Sequence, residues 1–408
     1  MRILRFSLET SAKADSFVGC GFIPLNIFMR DLIFVSLENW DEIWRRNQFL
    51  CAQWAQRFPE NQILFVGQNF FLPQWMKRRG LHQNPRFPNI HAMNVAKPLP
   101  NPAPFGRKTN ELTAISQVNH AAKSLGMRDP LLWINPYDAG FYIGNLRHSG
   151  AIYDITDDWE LAETDETRRA WLRSVDRELC RRADLTVVCS DALFEARKNT
   201  AKSLFLLYNG VEFEHYAASI APKTEAKKVF GYTGSLHSWR VDLAILETLA
   251  ARFPDAEIAL VGPNYWPDDS LQKTLEKHPN IVATGAVAYS QIPAQMARFD
   301  VCIVPHHQNA FTESLNPLKL WEYLACGKPI VSTDVAGFRD YPQVVRLAKT
   351  PDEFANACAK ALEERVSLPD SDDFADSLAG KRRETARAHS WESRFDALWA
   401  RLQSESLV

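Results

Sequence analysis

Short apolar runs recur along this chain at spacings that call for a helix between each pair. They stand at 32–36 (LIFVS), 63–66 (ILFV), 131–134 (LLWI), 151–155 (AIYDI), 185–189 (LTVVC) and 204–207 (LFLL). Each is too short for a buried helix and shows no polar alternation, so each reads as a strand covered on both faces. Between them, residues 40–57, 111–125, 139–146 and 165–182, and a segment from Asp191, read as helices. Parallel neighbours need such crossovers. Residues 84–109, rich in Pro and Asn, read as a long loop with one strand. The alternation lapses over 213–228 and then restarts. Strands are expected at 229–232, 258–261, 281–282, 301–304, 329–332 and 344–347. Helices are expected at 240–252, 270–277, 289–298 and 351–365, with one more between 311 and 327. Residues 374–403 read as a single long helical segment.

The pattern describes two doubly wound α/β domains in tandem. Expected boundaries are an N-terminal extension at 1–30, a first domain at 31–212, a linker at 213–228, a second domain at 229–373 and a C-terminal helical segment at 374–408. Ligands of such sheets sit at the carboxyl ends of the strands, so a cleft between facing domains is the natural site.

With 408 residues, 46% of them hydrophobic, two domains can each bury a core. The net charge of −2 argues against a general nucleic-acid binder. It is unevenly spread: residues 1–150 hold 17 Lys+Arg against 10 Asp+Glu, and the remainder 30 against 39. Within 61–128 the sole acid is Glu111, so a basic first-domain surface is expected. The seven cysteines are scattered without a C-x-x-C pair, which argues against a disulfide framework or a zinc site and fits a reducing cytosol. No run is long and apolar enough for a spanning helix. Residues 16–29 carry Pro24 and Asn26, run into Arg30-Asp31 and lack a small-x-small cleavage site, so they are not read as a signal peptide.

The chemistry concentrates in 311–334, FTESLNPLKLWEYLACGKPIVSTD. A polar loop (Glu313, Ser314, Asn316) and Pro317 open a short helix. Lys319 and Glu322 fall three apart on one face, and Gly327 closes it before a strand. A helix N-terminus with a lysine and a carboxylate one turn in suits a phosphate and a ribose, hence a nucleotide; an amphipathic helix packed on a sheet is the plainer reading. Gly231-Tyr-Thr-Gly234-Ser235 follows the second domain's first strand, where glycine lets backbone approach a phosphate or sugar; a tight strand-to-helix turn explains it equally. Arg240 could add charge toward a diphosphate or simply be exposed.

In the first domain, Asp154, Asp157 and Asp158 lie at a strand's carboxyl end. Asp157 is the first candidate for a general base and Asp154 the second; helix capping is the competing use of Asp157 or Asp158. Residues 70–79 mix aromatics with Lys77, Arg78 and Arg79. That segment, with Trp75, reads either as a face for an anionic membrane or as a helix packed on its own domain. His306-His307 lacks partners at metal-ligand spacing, so no metal is assigned.

Together these residues resemble the GT-B glycosyltransferases that use nucleotide sugars, in particular a family 4-like, teichuronic-acid-type branch. That branch's donor motif, N-P-L-K-x-x-E-Y-L-A-x-G-K-P-V, stands here as Asn316 to Ile330. YDITDDW, SDALF, NGVEF, GYTGSL with RVDL, LVGP and Ser390-Trp391 extend the likeness over most of 31–400, and the pattern is similar to the xanthan glucuronosyltransferase. The resemblance implies a GT-B fold, two Rossmann-like domains facing a cleft with the donor in the second. Glu322 would take the ribose and Lys319 the diphosphate. Gly234 and Ser235 would face the transferring sugar or phosphate, Asn316 the sugar, and Arg240 the diphosphate.

The wider family carries E-x7-E, and here Ser314 stands at the first acid, with Glu313 one residue out of register. Ser235 also replaces that family's basic residue. Inversion with Asp157 as base is the expectation that follows. The resemblance further implies a metal-independent hexosyltransferase without a cofactor. It would transfer from a UDP-sugar to a glycan or polyprenyl-linked acceptor in polysaccharide or cell-envelope assembly. It would be cytoplasmic, with peripheral contact to an anionic membrane through Trp75, Lys77, Arg78 and Arg79, and would bind no nucleic acid. The competing expectations are a nucleotide-sugar 2-epimerase of the same fold and a non-catalytic two-lobed ligand-binding protein.

Overall fold

The computed structural model describes residues 30–101, 103–218, 227–364 and 373–408. The extension expected at 1–30 lies, save Arg30, outside the described residues. The first domain runs β1 (Leu32–Val35), α1 (Arg46–Arg57), β2 (Ile63–Phe71), α2 (Leu72–Met76), β3 (His82–Gln83), β4 (Ile90–Lys97), α3 (Gly106–Ser124), β5 (Leu131–Ile134), β6 (Gly150–Ile155), α4 (Trp159–Ala162), α5 (Glu166–Arg182), β7 (Leu185–Val188), α6 (Asp191–Arg197) and β8 (Leu204–Leu206). After α7 (Phe213–Ala217) come β9 (Val229–Thr233), α8 (Leu243–Arg252), β10 (Glu257–Val261), α9 (Ser270–Lys277), β11 (Ile281–Gly285), α10 (Ile292–Ala297), β12 (Val301–Val304), α11 (Leu318–Cys326), β13 (Ile330–Thr333), β14 (Arg346–Ala348) and α12 (Pro351–Leu362). The chain closes with α13 (Leu378–Arg387) and α14 (Trp391–Ser404).

The first sheet has the order β3-β4-β2-β1-β5-β6-β7-β8 and the second β11-β10-β9-β12-β13-β14. Every named pairing is parallel except the short β3 against β4. Helices cover both faces, which is why the strands read as unbroken apolar runs. In β1, Leu32 and Phe34 enter one core while Ile33 and Val35 enter the core on the opposite face. Burying these four side chains contributes roughly 6–12 kcal/mol before the entropy of ordering them is counted. The strand order reverses beside β1 in the first sheet and beside β9 in the second, the crevices where such folds bind ligands.

Several elements differ from the expectation. Within 139–146 only a single 3-10 turn forms, Gly140–Tyr142, where two glycines disfavour a longer helix. The helix expected at 40–57 begins at Arg46, because Trp40 and Trp44 belong to a loop packed on the core. The stretch expected as a linker contains α7, whose Phe213, Tyr216 and Ala217 are buried at i, i+3 and i+4. Five residues are too few to display a period, so its burial on the second domain's core decides it.

The single helix expected over 374–403 is two helices. Ser390 caps α14 by accepting from the Ser393 N–H, and the break sends the pair to different domains. α13 packs on α11 in the second domain. α14 returns to the first, where Trp391 stacks on Phe49 with ring centroids 5.0 Å apart. Phe395, Leu398 and Leu402 join the same core. The crossing is pinned where the Val211 N–H donates to the His389 carbonyl (3.1 Å) and the Trp391 N–H donates to the Val211 carbonyl (3.2 Å).

Candidate active site

The cleft is lined from the second domain by the turn after β9, the loop after β12 and the start of α11. Gly231 and Gly234, paired in the sequence reading, do different things. A Cβ at Gly231 would fall 2.1 Å from the Phe299 ring, so that glycine serves core packing. Gly234 has φ +133°, a conformation that side chains rarely adopt, and a Cβ there would lie 2.9 Å from Lys319 Nζ. Its absent side chain leaves the lysine's head open to the turn.

Lys319 is buried on α11, 7% exposed. Its ammonium donates to the Tyr232 hydroxyl at 2.8 Å, stands 4.0 Å from the Tyr232 ring centroid and lies 3.4 Å from His306 Nε2. Burial first, and then the Arg240 charge, hold its ammonium well below the usual lysine range, while Glu322 opposes both. Burial, Lys319 and Arg240 likewise hold His306 well below the usual imidazole range. Burial, Arg240 and Lys319 bring His237 down to about 4. His306 and His307 point apart, since His307 Nδ1 lies 3.4 Å from Asp242. Among the described residues, no group of three or more His, Cys, Asp or Glu is placed to hold a metal ion.

Arg240 rests on Trp239, 4.8 Å from its ring centroid. Its Nε is buried without a hydrogen-bond partner. No ion pair within 4.0 Å joins Arg240 or Lys319 to a carboxylate among the described residues. Buried cations ordinarily pair, and an unpaired one is costly. Two cations and two depressed imidazoles around one opening make a place where an anion would lower the energy of every member.

One turn along α11, Glu322 accepts from the Tyr216 hydroxyl at 2.9 Å. Burial raises its carboxyl, against the Tyr216 hydroxyl and Lys319. Its second oxygen faces no donor that the described residues provide at hydrogen-bond distance. Ser235 is half-buried in the turn, its carbonyl accepting from Tyr232 (3.3 Å). Asn316 is committed elsewhere: its side-chain carbonyl accepts from the Asn209 N–H (2.8 Å) and its backbone carbonyl from the Asn209 amide (2.5 Å). Ser190 Oγ donates to the Ser314 carbonyl at 2.6 Å, a second tie between the domains. Glu313 turns away to Arg339, 2.7 Å, so neither it nor Ser314 supplies an acid beside Glu322.

The first domain presents its acids from opposite. Asp157, two residues past β6, is half-buried and accepts from Thr156 Oγ1 at 3.2 Å. Burial raises its carboxyl above the ordinary carboxylate range; Arg240, reaching from the other domain, and then Thr156 oppose this, and Asp158 adds to it. The Arg240 charge thus reaches Asp157 from the other domain. Glu38, after β1, belongs to the same group: burial raises it, Arg45 opposes, and Asp157 adds repulsion. The sequence reading missed it because a lone acid in a loop carries no pattern.

Asp154 takes a different part. It is fully buried and paired with Arg46, Nε to Oδ2 3.1 Å. Arg46 also donates to the Leu207 carbonyl (2.9 Å) and to Asn209 Oδ1 (3.1 Å), linking β6 to the Asn209–Asn316 pin. Asp158 pairs with Arg197 at 2.6 Å. Both are structural anchors around an uncommitted Asp157.

Trp75 donates from Nε1 to the Asn94 carbonyl at 2.9 Å. Beside it Lys77, Arg78 and Arg79 are exposed, with Phe71, Leu72 and Met76 at 43%, 45% and 56% exposure. This apolar and basic face lies on the first domain.

Residues 227–364 match the model of the family described as glycosyl transferases group 1. The match falls on the second domain. Lys319, Glu322, Gly234 and Arg240 all fall within it, whereas Asp157 and Glu38 come from outside. The chain is 28% identical over 264 residues to the Bacillus subtilis (strain 168) protein provisionally named teichuronic acid biosynthesis glycosyltransferase TuaH. The match covers 60% of this chain and 64% of that relative.

Among solved structures, sucrose-phosphate synthase from Thermosynechococcus elongatus aligns with TM-score 0.69 at 15% identity, over 92% of this chain and 100% of that one. Anabaena Alr3699/HepE, solved with UDP and glucose, aligns with TM-score 0.64 at 16% identity, over 92% and 100%. The α,α-trehalose-phosphate synthase (UDP-forming) of Burkholderia vietnamiensis gives 0.62 at 12%, with the same coverages. The two domains therefore form a GT-B fold.

Proposed function

We propose that this chain is a glycosyltransferase of the hexosyltransferase type. It moves a sugar from a nucleotide-sugar donor, UDP-linked by preference, to a glycan or lipid-linked acceptor in polysaccharide or cell-envelope assembly. The observation that carries this is the group of cations without carboxylate partners, Lys319 and Arg240, around the Gly234 turn, with the Arg240 charge reaching Asp157. Glu322, with one oxygen held by Tyr216, takes the ribose hydroxyls. Lys319 and Arg240 take the diphosphate, with the Gly234-Ser235 turn against it. Asn316 acts as a positioning residue, holding the mouth of α11 against Asn209. The provisional name of the Bacillus relative and the UDP bound by HepE support the substrate class.

In the reaction, Asp157 accepts the proton of the acceptor hydroxyl as its oxygen bonds to the sugar's anomeric carbon. The bond to the diphosphate breaks, and the configuration inverts. Charge developing on the leaving group falls on cations already in place, which lowers the barrier without reorganisation. On this reading the chain uses no bound metal or cofactor, and chelation leaves the rate unchanged. The exposed face carrying Trp75, Lys77, Arg78 and Arg79 rests on anionic membrane at the cytoplasmic side. A thermal-shift screen of UDP, GDP and their sugars tests the donor assignment: UDP and its sugars raise the melting temperature, and a protein indifferent to all of them would remove it.

A further inference from the structure

A hollow built wholly by the first domain has a volume of about 380 Å³, within the ~300–1,000 Å³ range of small-molecule sites.

 Its walls are Asn69 on β2, Lys97 at the end of β4, Arg107 on α3, Asp138 in the loop after β5, and Arg168 and Trp171 on α5. Residues from 69 to 171 meet here because β2, β4 and β5 end at the same edge of the sheet.

The hollow has a built character. The Arg107 and Arg168 guanidinium carbons stand 5.9 and 5.3 Å from the Trp171 ring centroid, and Tyr137 meets that ring edge-on at 5.8 Å. The two arginines also hold Glu111 (3.0 Å) and Glu163 (3.1 Å), with more than half of each arginine side chain exposed. Such solvent-exposed pairs are weak and exchange readily for a better anion. Lys97 lies over Phe71, 5.1 Å from its centroid, with no carboxylate within ion-pair distance among the described residues. Asp138 is exposed at the surface of the hollow, which Lys97, Arg107, Arg168 and Glu111 also line; desolvation raises its carboxyl, and the charges of Arg107, Lys97 and Arg168 all act to lower it. Ile134 pairs with Tyr153 across β5 and β6, and Asp138 and Asp157 each follow at the same offset, placing the hollow on the strand end next to the proposed base. Phe105, 86% exposed, and Leu99, 36% exposed, flank it in sequence.

We propose that this hollow is the acceptor's phosphate subsite: Lys97, Arg107 and Arg168 take the phosphoryl oxygens of a glycosyl phosphate or diphosphate, and Asp138 and Asn69 take hydroxyls of its sugar. Calling the ligand an acceptor rests on the glycosyltransferase reading; the phosphate site itself does not. Guanidinium groups suit phosphoryl oxygens because they donate in pairs.

The test is calorimetric titration of the full chain, with UDP present, using two probes. One is glucose 1-phosphate; the other is phosphatidylcholine vesicles doped with a polyprenyl phosphate, read against undoped vesicles. At least one probe binds, and Arg107→Gln with Arg168→Gln weakens it about tenfold or more while the UDP affinity stays the same. Binding of glucose 1-phosphate assigns a soluble phosphosugar, and binding of doped vesicles alone assigns a lipid-linked one. Equal affinity in the double variant, or no binding of either probe to the unaltered protein, overturns the subsite. Failure of UDP to bind would overturn the donor reading instead, and the dependence on the two arginines would still decide the subsite.

Discussion

Replacing Lys319 with methionine separates ligand binding from stability, because the structure predicts opposite signs for the two. The lysine is 7% exposed, donates to the Tyr232 hydroxyl and has no carboxylate within ion-pair distance among the described residues. Removing a buried charge that a ligand's phosphate would meet costs roughly 2–4 kcal/mol of binding, or about 30- to 700-fold in Kd. The unliganded protein, by contrast, loses an uncompensated charge and keeps a side chain of similar volume, so its stability holds or rises. The pH dependence follows from the depressed lysine. Between its folded value and the ordinary lysine value the unfolded chain binds the extra proton, so stability rises with pH across that window. Lys319→Met therefore gains most at the low-pH end of that window, and the gain shrinks as pH approaches the ordinary lysine range. Isothermal titration with UDP and denaturant unfolding of the ligand-free protein measure the two effects. An unchanged UDP affinity, or a large loss of ligand-free stability, would refute the reasoning.

Other outcomes follow from the same geometry. Because burial and mutual repulsion depress Lys319, His306 and His237, a bound diphosphate raises all three, so binding takes up protons. UDP affinity then falls as pH rises, and titration in buffers of different ionisation enthalpy reads the uptake directly. Asp154→Asn breaks a buried ion pair with Arg46 and costs roughly 3–5 kcal/mol, seen as a lower unfolding midpoint; normal stability would contradict its role as an anchor. Neutralising Lys77, Arg78 and Arg79 together reduces sedimentation with anionic vesicles about tenfold or more, and unchanged sedimentation removes the membrane face.

The two-domain α/β plan was legible because each strand is covered on both faces, which leaves unbroken apolar runs such as 32–36. Lys319 and Glu322 were legible because one helical turn places them together whatever the rest of the fold does. Contacts made by distant or short segments were not. Tyr216, which holds Glu322, sits in a helix of five residues that shows no period. Tyr232 was masked by its place in a glycine-rich turn, and His306 by the metal question its neighbour His307 raised. Asp154 and Asp157 differ by three positions, yet only the pairing with Arg46, which depends on how α1 packs beneath β6, separates anchor from candidate base. The crossing of α14 had a local signal in Ser390-Trp391, a capping residue before a large aromatic, but its destination is a tertiary matter.

Asp157→Asn tests the central claim most directly, with transfer and UDP affinity measured on the same preparation. If Asp157 takes the acceptor's proton, transfer falls roughly 10²–10⁴-fold while UDP binds as before. Turnover retained in the variant, or lost together with UDP binding, would contradict a base reaching from the first domain toward a donor held by Lys319 and Glu322.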